Sequence, residues 1–232
     1  MLEQIQKDLE VMADEKTKQS TEHYFREEVI VHGVRNARLK EVIGKYWPRI
    51  KEISKGEVYD LLESLLATNY CEEAFLVAAW LPKMAKQFEK DDINIFREWI
   101  DKYLNNWAKI DSFCNHPVAD HLAKFPDDID EIMSWVNSNN RWMQRAAAVS
   151  LILPARRGNY LAEAFQIADA LITSRDDMVQ KGYGWLLKEA SRQHQKEVFD
   201  YVVRNKTIMP RTALRYAIEK MPEDIRKKAM ER

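Results

Sequence analysis

Three side chains in this sequence have the types and spacing to do chemistry together: Trp107, Asp111 and Trp185. Trp107 and Asp111 stand four apart, so a helix sets them on one face, off the stripe formed by Ile110, Phe113 and Cys114. A carboxylate can stabilise an oxocarbenium-like sugar as a glycosidic bond breaks, and it can orient a water. Two indoles can stack on a cationic base or on a sugar edge. The competing reading of Asp111 is an ordinary salt bridge to a neighbouring arginine. A lone aspartate in a basic groove would repel phosphates, so it calls for a positive partner in any case.

Trp185 lies in the run Met178 to Arg192, where helical spacing brings Lys181, Trp185, Lys188 and Arg192 within about 60° of one another. Tyr183, Leu186, Leu187 and Ala190 gather opposite them. An indole on a wet face among three cations suits a flat, anionic contact such as nucleic acid, although cationic stems can also simply cover a ring. Cations recur at the same spacing elsewhere, as Arg141 with Arg145 and as Arg211 with Arg215. Arg156-Arg157-Gly158 could grip a phosphate, or could compensate a helix C-terminus.

Other chemistries find little support. Cys71 and Cys114 are far apart and have no CxxC partner, which points to a reducing setting without a disulfide framework. Cys114, His116 and His121 are only loosely metal-like, because Pro117 is expected to interrupt the helix joining them. We expect no metal and no cofactor. No P-loop, GxGxxG or Ser-His-Asp arrangement occurs. The net charge of −1 means that any basic surface must be local. The longest apolar run, Ala146 to Ala155, contains Ser150 and is far short of a membrane span, and the start lacks an apolar signal region, so a cytoplasmic protein with no membrane partner is expected.

The elements that must position these residues are helices. Apolar residues make up 46% and charged residues 31% of the 232, with six glycines and seven prolines, which suits a mostly helical globular chain. Leu2, Ile5, Leu9 and Met12 open a helical N-terminal region of about 50 residues, in which Gly33 reads as a helix stop. Leu39, Val42, Ile43 and Tyr46 form a stripe ending before Pro48. Beyond it, acidic helices over 57–66, 91–103, 127–136, 162–171 and 195–203 each precede a second helix starting near Glu72, Trp107, Trp142, Met178 and Arg211. Those starts are 35, 35, 36 and 33 residues apart, the signature of an α-solenoid.

The turns agree with this. Asn105-Asn106, Asn139-Asn140 and Ser174 to Asp177 supply N-caps, and Pro210 suits a first helical position. The helix over 146–153 is apolar nearly all round and is expected to be the buried centre. The sequence thus predicts an all-α, right-handed α-solenoid, one domain over 1–232, whose second helices line a concave face.

The ordered set Gly33-Val-Arg, Asn106-Trp-Ala-Lys-Ile-Asp-Ser, Asn140-Arg-Trp-Met-Gln-Arg-Ala-Ala, Arg156-Arg-Gly, Val179-Gln-Lys-Gly-Tyr-Gly-Trp-Leu-Leu-Lys-Glu and Met209-Pro-Arg-Thr-Ala-Leu-Arg-Tyr-Ala-Ile-Glu resembles the AlkD-type DNA alkylation repair glycosylases over nearly the whole chain. The resemblance implies HEAT-like helical repeats with a concave DNA-binding face. It also implies a monofunctional glycosylase that hydrolyses the N-glycosidic bond of cationic N3- and N7-alkylated purines in duplex DNA, without flipping the base. Trp107, Trp185 and Asp111 match the family's catalytic set, and Arg145 matches its phosphate-gripping arginine. A lesion already carrying positive charge leaves readily, so one carboxylate suffices without a general acid. We expect Arg141, Arg156, Arg157, Lys181, Lys188, Arg192 and Arg211 to join Arg145 on DNA, and the protein to act as a monomer. The match is loose over the first 30 residues, so no role is carried onto Tyr24 or His32. A different class also fits the repeats: a non-catalytic HEAT-like scaffold that binds DNA or protein through the same face.

Overall fold

The computed structural model describes residues 1–231, which divide into two compact units, the first ending at His121 and the second beginning at Leu122. Among the described residues the chain is all-α, and its extended pairing is limited to an isolated parallel bridge between Ile30 and Tyr70. No helix of these residues is long and apolar enough to cross a membrane.

The first unit contains α1 (Leu2–Met12), α2 (Glu15–Tyr24), α3 (Asn36–Ile50), α4 (Lys55–Ala67), α5 (Cys71–Trp80), α6 (Asp92–Tyr103) and α7 (Trp107–Phe113). Ile5 and Leu9 of α1 are fully buried, and α1 packs on α3, which buries Leu39, Val42, Tyr46 and Ile50. Asp8 fastens the pair by accepting from Tyr46 Oη at 2.9 Å and from Lys45 Nζ at 2.5 Å. Helix α4 starts on a capping box in which Ser54 and Glu57 satisfy each other's backbone N–H groups. Helix α5 packs on α3, α4 and α7 and is the centre of this unit, with Leu76, Val77 and Trp80 excluded from solvent. Each such large apolar side chain contributes about 2 kcal/mol relative to exposure.

Three expectations need correction here. Residues 25–35 are irregular, with a bend at Arg26 and Glu27, rather than helical, so Gly33 does not stop a helix. It adopts φ +90° and passes so close to the start of α2 that an added Cβ would lie 2.7 Å from both Asp14 O and Lys18 Cβ. Pro48 lies inside α3, which runs on to Ile50. Pro117 likewise does not break the chain's helical path, because Cys114–Val118 forms a π-helical turn that leads from α7 into α8 (Ala119–Lys124). The wider turn leaves room for a residue that lacks an N–H and would clash in a regular helix. The division between units falls within α8.

The second unit holds α9 (Ile129–Ser134), α10 (Arg141–Ser150), α11 (Ile152–Arg156), α12 (Leu161–Leu171), α13 (Asp177–Ala190), α14 (Gln195–Asn205), α15 (Arg211–Ala217) and α16 (Glu223–Met230). The acidic stretch over 127–136 is not one helix, since α9 is flanked by 3-10 turns at Pro126–Asp128 and Trp135–Asn137. Ala146 to Val149, Leu151 and Ile152 are wholly buried, as their composition demands, although the chain turns at Leu151 between α10 and α11. Helix α13 packs on α10, α11, α12 and α15. The second helices start at Cys71, Trp107, Arg141, Asp177 and Arg211, each within a residue of expectation. Their caps agree: Asn106 Oδ1 accepts from Lys109 N, Asn140 Oδ1 from Trp142 N, and Asp176 Oδ1 from Met178 N and Val179 N. Pro210 sits one position earlier than expected, at the N-cap of α15.

Candidate nucleic-acid interface

In the first unit, helix α7 presents Trp107 and Asp111, both part-exposed, while Ile110, Phe113 and Cys114 are buried as the spacing requires. The helix is unusually well anchored for its seven residues. Asn106 caps it and also donates from Nδ2 to Cys71 Sγ at 3.4 Å. Lys109 is only 2% exposed, and its ammonium donates to Asn69 O at 2.8 Å, Asn69 Oδ1 at 2.6 Å and Asn105 Oδ1 at 3.1 Å. Burial pushes the Lys109 pKa down from the usual lysine value. With its three protons spent on fixed acceptors, the side chain clamps α7 to the loop before α5.

Trp107 does not stand alone. Its ring stacks on Phe25 with centroids 5.3 Å apart and planes 25° from parallel, and Tyr24 meets it edge-on at 6.0 Å. Phe25 packs with Phe75 against the buried residues Val29, Val31 and Cys71. The segment that delivers it is held by Glu72, whose buried carboxylate accepts from the backbone N–H groups of His32 at 3.0 Å, Gly33 at 2.8 Å and Val34 at 3.1 Å. His32 is itself engaged, with Nε2 2.9 Å from Glu73 Oε1 and its ring stacked on Tyr70 at 3.8 Å. Tyr24 is 72% exposed, so the cluster ends in an open aromatic edge.

In the second unit, Trp185 is half-buried rather than fully wet, and the cations of its face are engaged by carboxylates. Lys181 pairs with Asp177 at 2.6 Å, Lys188 with Glu219 at 3.1 Å, and Arg192 with Glu189 at 2.6 Å. Lys188 Nζ also lies 6.0 Å from the Trp185 ring centroid and 5.5 Å from that of Tyr216. Arg141 pairs with Asp176 at 3.0 Å and lies over the Trp142 ring. Arg156 pairs with Glu189 at 2.7 Å. Arg211 makes a long contact to Met230 O at 3.4 Å, and Arg157 is exposed.

Arg145 is 5% exposed, and its Nη1 donates to Met178 O at 2.5 Å. Gly182 makes room for it, since an added Cβ would meet Arg145 Cγ at 3.3 Å. The open cationic stripe expected on α13 is therefore a face of ion pairs, in keeping with a chain whose acidic and basic residues nearly balance.

Tyr24, Phe25, Lys109 and Glu189 are functional candidates that the spacing analysis did not single out. Two of them left a signal. Lys109 falls at i+3 from Asn106 and i−4 from Phe113, and Glu189 at i+3 from Leu186, so each charge sits in a buried stripe and needs a partner. Tyr24 and Phe25 left none, because 82 residues or more separate them from Trp107. Among the described residues, no group of three or more His, Cys, Asp or Glu side chains is placed to hold a metal ion.

Comparison with known proteins adds two findings. The model of a family described as DNA alkylation repair enzyme matches residues 5–221. A solved structure described as a predicted DNA alkylation repair enzyme from Enterococcus faecalis superposes with a TM-score of 0.82 at 13% identity, covering 91% of this chain and 98% of that one. No curated protein matches.

Proposed function

The chain belongs to the DNA alkylation repair enzymes, and from that premise we propose that it is a monofunctional glycosylase. It releases cationic N3- and N7-alkylated purines from duplex DNA by hydrolysis, without flipping the base. One observation carries the reading: Trp107 and Asp111 are part-exposed, one turn apart, on a helix that buries Lys109, Ile110 and Phe113 and whose N-terminus is anchored by Asn106 and Lys109. An indole and a carboxylate held so rigidly are pre-organised for a charge that develops beside them.

In this mechanism the alkylated base already carries a positive charge and departs with the bonding electrons. The deoxyribose becomes oxocarbenium-like, and Asp111 stabilises that charge and orients the attacking water. Trp107, backed by Phe25 and Tyr24, offers an aromatic face to the cationic lesion, and Trp185 is assigned a stacking role on the same substrate. Arg156, Arg157, Arg192 and Arg211 hold backbone phosphates from the second unit, with Arg141, Lys181 and Lys188 contributing beside their carboxylate partners. Arg145 supports the start of α13 through Met178 O while it serves the same interface.

The test is base release from duplex DNA bearing N7-methylguanine. Asp111→Asn keeps the shape and removes the charge, so release should slow roughly 10²-fold or more, about 2.7 kcal/mol, while duplex affinity stays equal or rises. Release by Asp111→Asn at the parental rate would reduce Asp111 to a structural ion-pair partner. No release by either protein would leave a DNA-binding scaffold.

A further inference from the structure

Glu189 joins two arginines. Its side chain is 3% exposed, and its Oε2 accepts both from Arg156 Nε on α11 at 2.7 Å and from Arg192 Nε, just past α13, at 2.6 Å. The two Nε atoms therefore stand no farther apart than the sum of those distances. Neither guanidinium gives its terminal Nη groups to another acceptor among the described residues, and the two side chains are 48% and 41% exposed. Burial alone would push the Glu189 pKa up, but the hydrogen bonds from the two arginines outweigh it and leave the carboxyl below its ordinary value. The carboxylate is thus charged at neutral pH and holds both arginines by one edge.

What remains on each side chain is the terminal Nη edge of the guanidinium, open to solvent. Arg157, next in sequence to Arg156, is exposed, and Gly158, in a left-handed conformation, turns its carbonyl to His194 Nε2 at 3.0 Å. Two arginines against one carboxylate leave this cluster with a net positive charge on a chain of net charge −1. The end-on edge of a guanidinium matches two oxygens of a phosphate, and pre-orientation removes the rotamer cost of gripping it.

We infer that Glu189 is a positioning residue that sets Arg156 and Arg192 as a two-armed clamp for a phosphodiester of the DNA backbone. The ligand's identity rests on the function proposed above; the geometry does not. A plain counter-charge predicts the opposite of a positioning residue when Glu189 is removed. Deleting a negative charge from a DNA-binding surface should tighten binding, whereas releasing the arginines should weaken it.

Duplex affinity is measured against salt for the parent, Glu189→Gln and Glu189→Leu. Glu189→Leu should bind roughly fivefold to tenfold more weakly, with a salt slope shallower by up to about two units. Glu189→Gln keeps a single oxygen that can accept from both Nε atoms, so it should stay at or above parental affinity. Binding by Glu189→Leu as tight as the parent's, with an unchanged slope, overturns the inference.

Should Glu189→Leu fail to fold, Arg156→Lys with Arg192→Lys decides the matter, because it keeps both charges and loses the forks. It should lose affinity severalfold, and parental affinity overturns the clamp. Should the parent itself bind no duplex, the DNA reading falls, and the clamp is judged with inorganic phosphate by following the Nε–H resonances of Arg156 and Arg192. Saturable shifts in the parent that vanish in Glu189→Leu uphold it, and their absence in the parent overturns it.

Discussion

Lys109 is a single charge buried directly beneath the face that carries Trp107 and Asp111. Lys109 satisfies three acceptors at once, so Lys109→Met leaves Asn69 O and two side-chain amides without their donor. We expect a loss of about 2 kcal/mol in stability of the first unit. Base release should fall further than the folded fraction explains, because Asp111 rides on the same helix. Urea unfolding and single-turnover excision of the variant, compared at a temperature where it is folded, check both parts. A variant as stable as the parent would show that water replaces the ammonium without penalty. Phe25→Ala makes a second test, since it removes the ring behind Trp107 without substituting any residue of α7. It should weaken excision less than Trp107→Ala does, and equal or greater loss would give Phe25 a role of its own on the substrate.

At the level of elements, the second helices were legible from their near-constant spacing, and α7, α10 and α13 also begin on a local signal, an Asn or Asp whose side chain caps the next turn. The irregular segment at 25–35 was not legible. It owes its conformation to Glu72, some 40 residues downstream, and no periodicity within the segment announces that partner. The same holds for the candidate site. Trp107 and Asp111 could be placed on α7 from their spacing, but Arg156 and Arg192 looked like free cations because their common carboxylate, Glu189, sits in the apolar stripe of α13. Gly33 tests the account of the segment. At φ +90°, and with backbone 2.7 Å from any added Cβ, Gly33→Ala should cost about 3 kcal/mol and disturb the Trp107 surroundings. A change under about 0.5 kcal/mol, with unaltered Trp fluorescence, would mean the segment can shift freely.

For the whole molecule, near-neutral charge makes ion pairing the rule, and acid should undo it. The carboxyls of Asp8, Glu189 and Glu219 all sit below their ordinary values of 3.8, 4.5 and 4.5. For Asp8 the hydrogen bond from Lys45 is the main cause. For Glu189 and Glu219 burial opposes the shift, and hydrogen bonds from their cationic partners overcome it. A carboxyl with a lowered folded pKa contributes stability that is present above its unfolded value and is lost as pH falls through its folded value. Stability should therefore be level near neutrality and drop below about pH 4.5, and Glu189→Leu should show a shallower acid flank. A parental curve that stays flat to pH 3 would show that these pairs add nothing. Binding to undamaged duplex should be weak at physiological salt, and Arg157→Ala should flatten its salt slope by about one unit. An unchanged slope would remove Arg157 from the interface.

Helix α13 carries glycine at 182 and 184, each of which lowers intrinsic helix propensity by about 1 kcal/mol. Both are filled from outside: Arg145 lies over Gly182, and at Gly184 a Cβ would come within 2.8 Å of Tyr216 Cβ and 2.9 Å of Ala213 O. A helix so poor by itself, and so closely fitted by α10 and α15, has little reason to form before them. Its amides should consequently exchange with deuterium at the pace of α10 and α15 rather than in a separate, earlier opening. A chain cut after Asn205 should lose protection along α13 as well, which makes the segment beyond Asn205 a condition for the helix that bears Trp185.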